Sequence, residues 1–231
     1  MPNYTPQTLQ DIVFKNANDA DRLDLIAQGR LKFPDAGING VLLYGDFGTG
    51  KSCTAAMLPD IVEAANPQLC QPLFEVEGSR TLPWKVAACG EPTPDLHKLK
   101  IVESGLQLHP PFGSFHHTII DEIDALSRAH QMRVRNMMAC PTSVWYFTTN
   151  SLHRVDAGIR NRCILVDFEA APPRNWLPLF CRIISDQGAL APSDHVMIQA
   201  IFNCNGSARQ IIQAAKETAI AQIGAGQILP P

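Results

Sequence analysis

The stretch VLLYGDFGTGKS, residues 41–52, decides the fold of this 231-residue chain. Its first four residues are apolar and predict a short buried strand, and Lys51 and Ser52 open a segment that can form a helix. Together with Gly45 and Gly50 they fit the pattern G-x-x-x-x-G-K-[S/T], in which a loop points its backbone N–H groups inward at phosphate oxygens. Glycine permits the positive-φ turns that such a loop needs and leaves no Cβ between backbone and ligand. The stretch therefore predicts a binding site for a nucleoside triphosphate.

The residues of this loop have distinct expected roles. Lys51 would reach the β- and γ-phosphates, and Ser52 would be a ligand of Mg²⁺. The following helix would aim the positive end of its dipole at the same anion. The alternative is a glycine turn before an ordinary helix. The predicted nucleotide-binding residues of the loop are Gly45, Asp46, Phe47, Gly48, Thr49, Gly50, Lys51, Ser52 and Cys53.

Composition and charge limit the class of protein. The chain is 45% hydrophobic and 18% charged, which is ordinary for a globular protein, and its formal net charge of −3 argues against bulk electrostatic attraction to nucleic acid. It has neither an apolar run of about 18 residues nor a signal-peptide pattern at its N-terminus, so no membrane partner is expected. Its seven cysteines are odd in number and contain no C-x-x-C pair, which predicts reduced thiols in a cytoplasmic protein.

Short apolar runs alternate with helical patterns along the first 170 residues. This alternation predicts a parallel sheet wrapped by helices, which is an α/β fold. Residues 78–115 are rich in Pro and Gly and predict a long irregular segment with one helix near 95–103. The predicted strands are 41–44, 73–76, 118–120, 144–149 and 163–168, and the predicted helices are 8–14, 19–28, one from the loop to residue 65, and 124–139.

The pattern changes at residues 170–173, Ala-Ala-Pro-Pro. After this break the strand pattern stops and only helices are predicted. The sequence therefore predicts two domains, an α/β nucleotide-binding domain of residues 1–170 and a small all-helical lid domain with a short tail, residues 171–231. The predicted lid helices are 174–186, 194–202 and 207–223.

Polar residues follow two of the predicted strands. Asp121 and Glu122 end the apolar run 118–120, and Asn150 follows the run 144–149. Nucleotide hydrolysis needs one acid that holds Mg²⁺ and a second that orients or deprotonates the attacking water, so we assign Asp121 to the metal and Glu122 to the water. Asn150 can hydrogen-bond that water or the γ-phosphate. The alternatives are an acidic cap on the next helix and a turn asparagine.

These motifs and their order resemble the AAA+ ATPases, and most of all the clamp-loader subunits of the replication factor C and DNA polymerase III gamma-tau type. Residues 45–52 are similar to Walker A, Asp121 and Glu122 to Walker B, and Asn150 to sensor 1. Residues 6–13, PQTLQDIV, look like the clamp-loader segment that packs against adenine. The implied adenine contacts are Ile12 and Val13.

Two further segments extend the resemblance. Residues 157–163, AGIRNRC, resemble the Ser-Arg-Cys box, which implies that Arg162 is a finger reaching the γ-phosphate of a neighbouring subunit. Arg160 could take that role instead. Residues 206–209, GSAR, are similar to sensor 2, which implies that Arg209 lies above the phosphates. A guanidinium suits both positions because it is planar and always charged.

The resemblance implies a fold, cofactors and an activity. The fold would be a P-loop NTPase of the AAA+ kind, with a parallel five-stranded sheet and a small C-terminal helical lid. The implied function is a clamp-loader-like ATPase that hydrolyses ATP with Mg²⁺ in an oligomer assembled on DNA, in replication or recombination. Its partners would be AAA+ subunits in a homo- or hetero-oligomer, DNA, and a sliding clamp or other replication protein. The alternatives are another DNA-directed AAA+ ATPase without a collar, such as a helicase loader or transposition regulator, and an ATP-gated oligomeric scaffold. The implied catalytic residues are Lys51, Glu122, Asn150 and Arg162, with Ser52 and Asp121 at the metal.

The predicted helix at 124–139 corresponds to the helix that faces DNA in the resembled family. Lys and Arg contacts with backbone phosphates bind DNA without sequence preference. The alternative is a solvated amphipathic helix. The implied DNA contacts are Ser127, Arg128, Arg133 and Arg135.

The sequence departs from the clamp-loader pattern at four places. Asp46 and Phe47 replace the usual start of the phosphate loop, and Asn161 stands where the Ser-Arg-Cys box has Ser. Glu77 occupies the place of an Asn that holds the catalytic Glu inactive, and there it would repel Glu122. The sequence also stops after the lid, where clamp-loader subunits continue into a helical collar. The resemblance therefore implies assembly through the ATPase interfaces alone.

Overall fold

The chain divides into two compact units. The sheet unit comprises Asn18–Gly45 and Lys51–Asp167, and the helical unit comprises Met1–Ala17, Asp46–Gly50 and Phe168–Pro231. The predicted domain boundary at residue 170 stays a prediction. The prediction placed residues 1–17 in the α/β domain, whereas in the structure Met1–Ala17 groups with the C-terminal helices. The structure is a computed structural model, and it describes residues 4–66, 84–87, 96–108, 110 and 113–227.

The sheet unit is built on one sheet of parallel strands. A parallel sheet covered on both faces is buried throughout, which explains why its strands are nearly continuous apolar runs. Parallel strands share one carboxyl edge, so residues that follow different strands come together there. The strands are β1 Gly40–Tyr44, β2 Trp84–Ala87, β3 His116–Asp121, β4 Ser143–Thr149 and β5 Cys163–Asp167, and their spatial order is β2-β3-β4-β1-β5.

The edge strand β2 lies within residues 78–115, which the sequence predicts to be irregular. That prediction is wrong at β2, where Trp84 pairs with Thr118 and Ala87 with Asp121. Pairing with β3 supplies backbone hydrogen bonds that no local pattern reveals. The strand predicted at 73–76 and the departure at Glu77 lie outside the described residues.

One predicted helix of the sheet unit is broken in the structure. The prediction of a continuous helix over 124–139 is wrong, because a 3₁₀ turn at Ile123–Ala125 is followed by extended backbone at Leu126 (φ −71°, ψ 141°). A new helix then starts, and Ser127 caps it by accepting the backbone N–H of His130 at 3.4 Å. The helices before residue 161 are α1 Ala17–Ala27, α2 Lys51–Ala65, α3 Leu96–Gly105, α4 Arg128–Met137 and α5 Ala157–Arg160.

The helical unit has its own apolar core. Trp176, Phe180, Ile183 and Ile211 are among its buried side chains. This core forms because the C-terminal helices each bury one apolar face. The role of these helices as a lid stays a prediction. They are α6 Leu177–Asp186, α7 Asp194–Phe202 and α8 Ala208–Gly224.

The N-terminal helix predicted over 8–14 is wrong. Only Leu9–Asp11 form a 3₁₀ turn, and Ile12 is extended, with φ −85° and ψ 131°. Asp11 Oδ2 accepts the backbone N–H groups of Gln7 and Thr8, both at 3.0 Å. These bonds belong to a capping box between Thr8 and Asp11, which favours a first helical turn, but the chain leaves helical geometry at the next residue, Ile12.

Two features are absent from the described residues. No helix in this part of the chain combines the length and apolar character that crossing a membrane requires. The same residues contain no group of three His, Cys, Asp or Glu side chains placed to hold a metal ion.

Candidate functional site

The loop after β1 is shaped by glycine. Gly48 has φ +75°, and a Cβ at this position would lie 2.6 Å from Ser207 Oγ. The Gly48 carbonyl accepts a hydrogen bond of 2.9 Å from the backbone N–H of Ala208. Within the loop, Thr49 Oγ1 donates a bond of 2.9 Å to the carbonyl of Asp46. The middle of the loop is therefore anchored to the first turn of α8, inside the helical unit.

In the sheet unit, side chains from the start of α2 reach the ends of β1 and β3. Lys51 is only 7% exposed, and its Nζ donates a hydrogen bond of 2.9 Å to the carbonyl of Gly45. Ser52 Oγ donates to both carboxylate oxygens of Asp121, at 2.9 and 3.2 Å. The structure thus brings together a hydroxyl and a carboxylate that lie 69 residues apart in the chain.

These groups suit a phosphate and a divalent cation. Lysine presents a compact positive charge, and hydroxyl and carboxylate oxygens are the ligands that Mg²⁺ prefers. Ser52 Oγ and the carboxylate of Asp121 already lie within 3.2 Å of each other, so both can contact one cation. The residues present therefore fit the predicted ATP and Mg²⁺.

Glu122 leaves β3 in a left-handed conformation, with φ 53° and ψ 54°. Its backbone N–H donates to Thr148 Oγ1 at 2.9 Å, and the same hydroxyl donates to Asp121 Oδ1. The alternative interpretation, an acidic cap, would require the side chain of Glu122 to accept a hydrogen bond from the 3₁₀ turn that follows. The side chain makes no such bond. Asn150 lies half-buried one residue beyond β4, at the same carboxyl edge of the sheet.

Arg162 lies at the opposite edge of the sheet. Its carbonyl accepts the backbone N–H groups of Asn39 and Gly40, where β1 begins, whereas the phosphate loop follows the end of β1. The five residues of β1 separate these edges by about 16 Å. Arg162 Nη1 donates to the carbonyl of Arg135 at 3.4 Å. Nε of Arg160 is buried and has no hydrogen-bond partner among the described residues.

The predicted nucleotide contacts outside the phosphate loop, namely Arg209, Ile12 and Val13, belong to the helical unit. Arg209 is exposed in the first turn of α8, directly after Ala208, whose N–H binds the carbonyl of Gly48. Val13 packs against the core of the helical unit, and Ile12 is 8% exposed. Arg209 is therefore held next to the phosphate loop by the backbone, while Ile12 and Val13 are packed as apolar side chains.

Two of the four predicted DNA contacts lie next to carboxylates of their own chain. Arg133 is paired with Glu103, and Arg135 Nη1 is 3.5 Å from Asp156 Oδ1. Such partly exposed pairs contribute at most about 1 kcal/mol each, so they do not prevent a contact with phosphate. The other two residues, exposed at the start of α4, are Ser127 and Arg128.

The sequence analysis missed a buried polar network in the sheet unit. Glu63 of α2 and His117 of β3 are 9% and 4% exposed. Glu63 accepts hydrogen bonds of 2.9 Å from the N–H groups of Ser114 and Phe115 and from His117 Nε2. His117 Nδ1 lies 2.9 Å from the hydroxyl of Tyr146. No spacing in the sequence predicts these pairs, because Glu63 and His117 are 54 residues apart.

The protonation states in this network follow from burial and hydrogen bonding. Burial raises the pKa of Glu63, but the hydrogen bonds from His117, Ser114 and Phe115 outweigh it and leave that pKa below its ordinary value. Burial, together with the charges of Glu63 and Asp60, raises the pKa of Tyr146 well above its ordinary value. Glu63 is therefore an ionised acceptor and Tyr146 a neutral phenol at neutral pH.

No protein-family model matches the sequence, and no curated protein matches it significantly. Solved structures do share its fold. A variant of RuvB from Thermotoga maritima is 16% identical with a TM-score of 0.67, over 98% of this chain and 68% of that chain. Domain III of the replication initiation protein DnaA from the same organism is 12% identical with a TM-score of 0.57, over 100% of this chain and 93% of that chain. Both are AAA+ ATPases.

The chain shares the fold of these two AAA+ proteins. This confirms the coarser part of the prediction, an α/β fold with a parallel sheet and AAA+ structural neighbours. At identities this low the likeness establishes the fold alone. The clamp-loader subtype and the roles of the site residues stay predictions.

Proposed function

We propose that the chain is a Mg²⁺-dependent ATPase that works in an oligomer assembled on DNA. The observation that carries the proposal is the hydrogen bond of 2.9 Å between Ser52 and Asp121, with Lys51 bonded to Gly45 at the same edge of the sheet. A purely structural sheet edge has no need of an ammonium, a hydroxyl and two consecutive carboxylates together. Hydrolysis of a nucleoside triphosphate uses all of them.

Each residue has one role in this proposal. Lys51 binds the β- and γ-phosphates, and Ser52 and Asp121 hold the metal ion. Bound Mg²⁺ supplies positive charge that stabilises the phosphate oxygens. Glu122 takes a proton from the attacking water on its carboxylate, and Asn150 orients that water with its side-chain amide.

The position of Arg162 supports an oligomer. It lies at the edge where β1 begins, about 16 Å from the edge where the phosphate loop of its own chain follows β1. An arginine side chain does not span that distance. Arg162 would therefore complete the site of a neighbouring AAA+ subunit, identical or related, where its charge meets the γ-phosphate in the transition state.

The finer proposal is a clamp-loader-like activity on DNA, with a sliding clamp or other replication protein as partner. It rests on the similarity of residues 157–163 and 6–13 to clamp-loader motifs. Arg128, exposed at the start of α4, supports contact with DNA phosphates. A structural neighbour titled a replication initiation protein is in keeping with a role in replication.

The assembly is tested by measuring ATP turnover per protomer against protein concentration, with and without primed DNA. A finger supplied by a neighbouring subunit makes turnover rise steeply with concentration, and DNA that assembles the oligomer makes that rise steeper. Turnover that is independent of both concentration and DNA would overturn the oligomer and DNA parts of the proposal.

The chemistry is tested with Glu122→Gln. Glutamine keeps the size of the side chain and the backbone bond to Thr148 but cannot accept a proton, so turnover should fall roughly 10²–10⁴-fold while ATP still binds. The matched control is Glu217→Gln, which removes an exposed carboxylate from α8 and should leave turnover unchanged. Wild-type turnover in Glu122→Gln would remove the assignment of Glu122.

A further inference from the structure

We infer that Thr148 is a positioning residue that holds the two acidic residues of the site in place, an inference that rests on the proposed ATPase function. Thr148 is the penultimate residue of β4 and is 1% exposed. Ile120 of β3 pairs with Phe147 of β4, so Asp121 and Thr148 are the next residues along the two neighbouring strands. The sequence analysis gave this threonine no role.

The Thr148 hydroxyl makes two hydrogen bonds of opposite sense. Its oxygen accepts the backbone N–H of Glu122 at 2.9 Å, and its proton goes to Oδ1 of Asp121. A backbone N–H can only donate, and Oδ1 of Asp121 accepts in this pair, so both partners set the orientation of the hydroxyl. Oδ1 of Asp121 also accepts from Ser52 Oγ at 2.9 Å. One buried hydroxyl therefore connects the residue assigned to the metal with the residue assigned to the water.

The bond to Glu122 matters because of the backbone at that residue. Its φ of 53° and ψ of 54° lie in the left-handed region, which is unfavourable for a residue with a side chain. Two hydrogen bonds hold it there, one from its N–H to Thr148 and one from Ala125 N–H to its carbonyl at 2.9 Å. In extended backbone, Asp121 and Glu122 would point to opposite faces of the sheet. The left-handed turn removes that alternation, so both carboxylates can serve one site.

The test is Thr148→Val, which keeps the branched shape and removes the hydroxyl. The partly buried N–H of Glu122 and a carboxylate oxygen of Asp121 would each lose one partner, and Glu122 would no longer be held in place. We expect kcat to fall roughly 10- to 100-fold, the effect of displacing a reacting group by about 1 Å, with little change in ATP affinity. The amide of Glu122 should exchange faster with solvent, and Thr148→Ser should restore both kcat and amide protection. Thr148→Ala is a second variant without the hydroxyl, should the valine variant not fold.

Thr118→Val is the matched control. Thr118 lies in β3 of the same sheet and is 0% exposed, and its hydroxyl has no hydrogen-bond partner among the described residues. Its replacement should leave kcat and the exchange of the Glu122 amide at their wild-type values.

The possible outcomes separate the two proposals. Wild-type kcat in Thr148→Val, or equal losses in Thr148→Val and Thr148→Ser, would overturn the positioning role and leave the ATPase standing. A wild-type protein that neither binds nor hydrolyses ATP would overturn the proposed function. In that case unchanged exchange of the Glu122 amide in Thr148→Val would also show that Thr148 does not hold this backbone.

Discussion

Replacing Glu63 by glutamine tests how the buried network stabilises the sheet unit. The carboxylate of Glu63 accepts hydrogen bonds of 2.9 Å from the N–H groups of Ser114 and Phe115 and from Nε2 of His117. Glutamine has nearly the same volume, but it is uncharged and one of its two polar ends can only donate. In the variant, the side-chain NH₂ group of glutamine would face the backbone N–H of Ser114. In the wild-type chain that N–H donates to a carboxylate oxygen of Glu63.

The expected loss follows from the number of bonds. A hydrogen bond to a charged group contributes about 1.5–3 kcal/mol, against about 0.5–1.5 kcal/mol for a neutral pair. Three such bonds therefore weaken by about 3–4 kcal/mol in total. Glutamine avoids the cost of burying a charge, which offsets part of this loss. We expect Glu63→Gln to lower the free energy of unfolding by about 2 kcal/mol and the Tm by about 4–8 °C.

Thermal unfolding followed by circular dichroism measures this difference. The matched control is Glu217→Gln on α8, an exposed carboxylate that accepts from Gln213 Nε2 at 2.8 Å, and it should change the free energy of unfolding by less than about 0.5 kcal/mol. Equal losses of Tm in the two variants would refute the reasoning.

The pH dependence gives an independent check of the same prediction. The pKa of Glu63 is lower in the folded chain than its ordinary value of 4.5. Its contribution to stability is therefore fully present above pH 4.5 and is lost as the pH falls through the folded-state pKa. The difference in Tm between wild type and Glu63→Gln should narrow as the pH falls below 4.5, and a constant difference would contradict the assigned charge of Glu63.

Two further predictions concern the loop and the finger. Gly48→Ala places a Cβ 2.6 Å from a side-chain oxygen at a φ of +75°, so we expect a destabilisation of about 1–3 kcal/mol and weaker ATP binding. Gly224→Ala, with no atom within 4 Å of the added Cβ, should be neutral or stabilising by up to about 1 kcal/mol, and thermal unfolding with ATP titration compares the two. Arg162→Ala should bind ATP normally but lose assembled turnover by roughly 10³-fold, while Arg160→Ala keeps it. Loss of turnover in Arg160→Ala but not in Arg162→Ala would assign the finger to Arg160. Full turnover in both variants would show that neither arginine is a finger.

The local parts of the site could be predicted from the sequence because their chemistry depends on adjacent residues. A glycine-rich loop between an apolar run and a helix has few other structural solutions, so the pattern predicts that a helix opens at Lys51 and Ser52, and α2 begins there. The roles of these two residues stay predictions. The carboxylates after β3 were predicted by the same reasoning, since an apolar run that ends in acids indicates the carboxyl end of a buried strand. The predictions at 8–14 and 124–139 were wrong because the backbone becomes extended at Ile12 and at Leu126. Both side chains are buried, so packing within the fold overrides helical patterns that are locally plausible.

The sequence by itself determined the phosphate loop, the acidic strand end and the order of the motifs, because each of these depends only on residues that are adjacent in the chain. Only the tertiary structure decided that Thr148 joins Glu122 across 26 residues, that Glu63 joins His117 across 54, and that Arg162 lies at the edge of the sheet opposite its own loop. Contacts of this kind depend on which strands pair and in what register, and no periodicity within a single strand or helix contains that information.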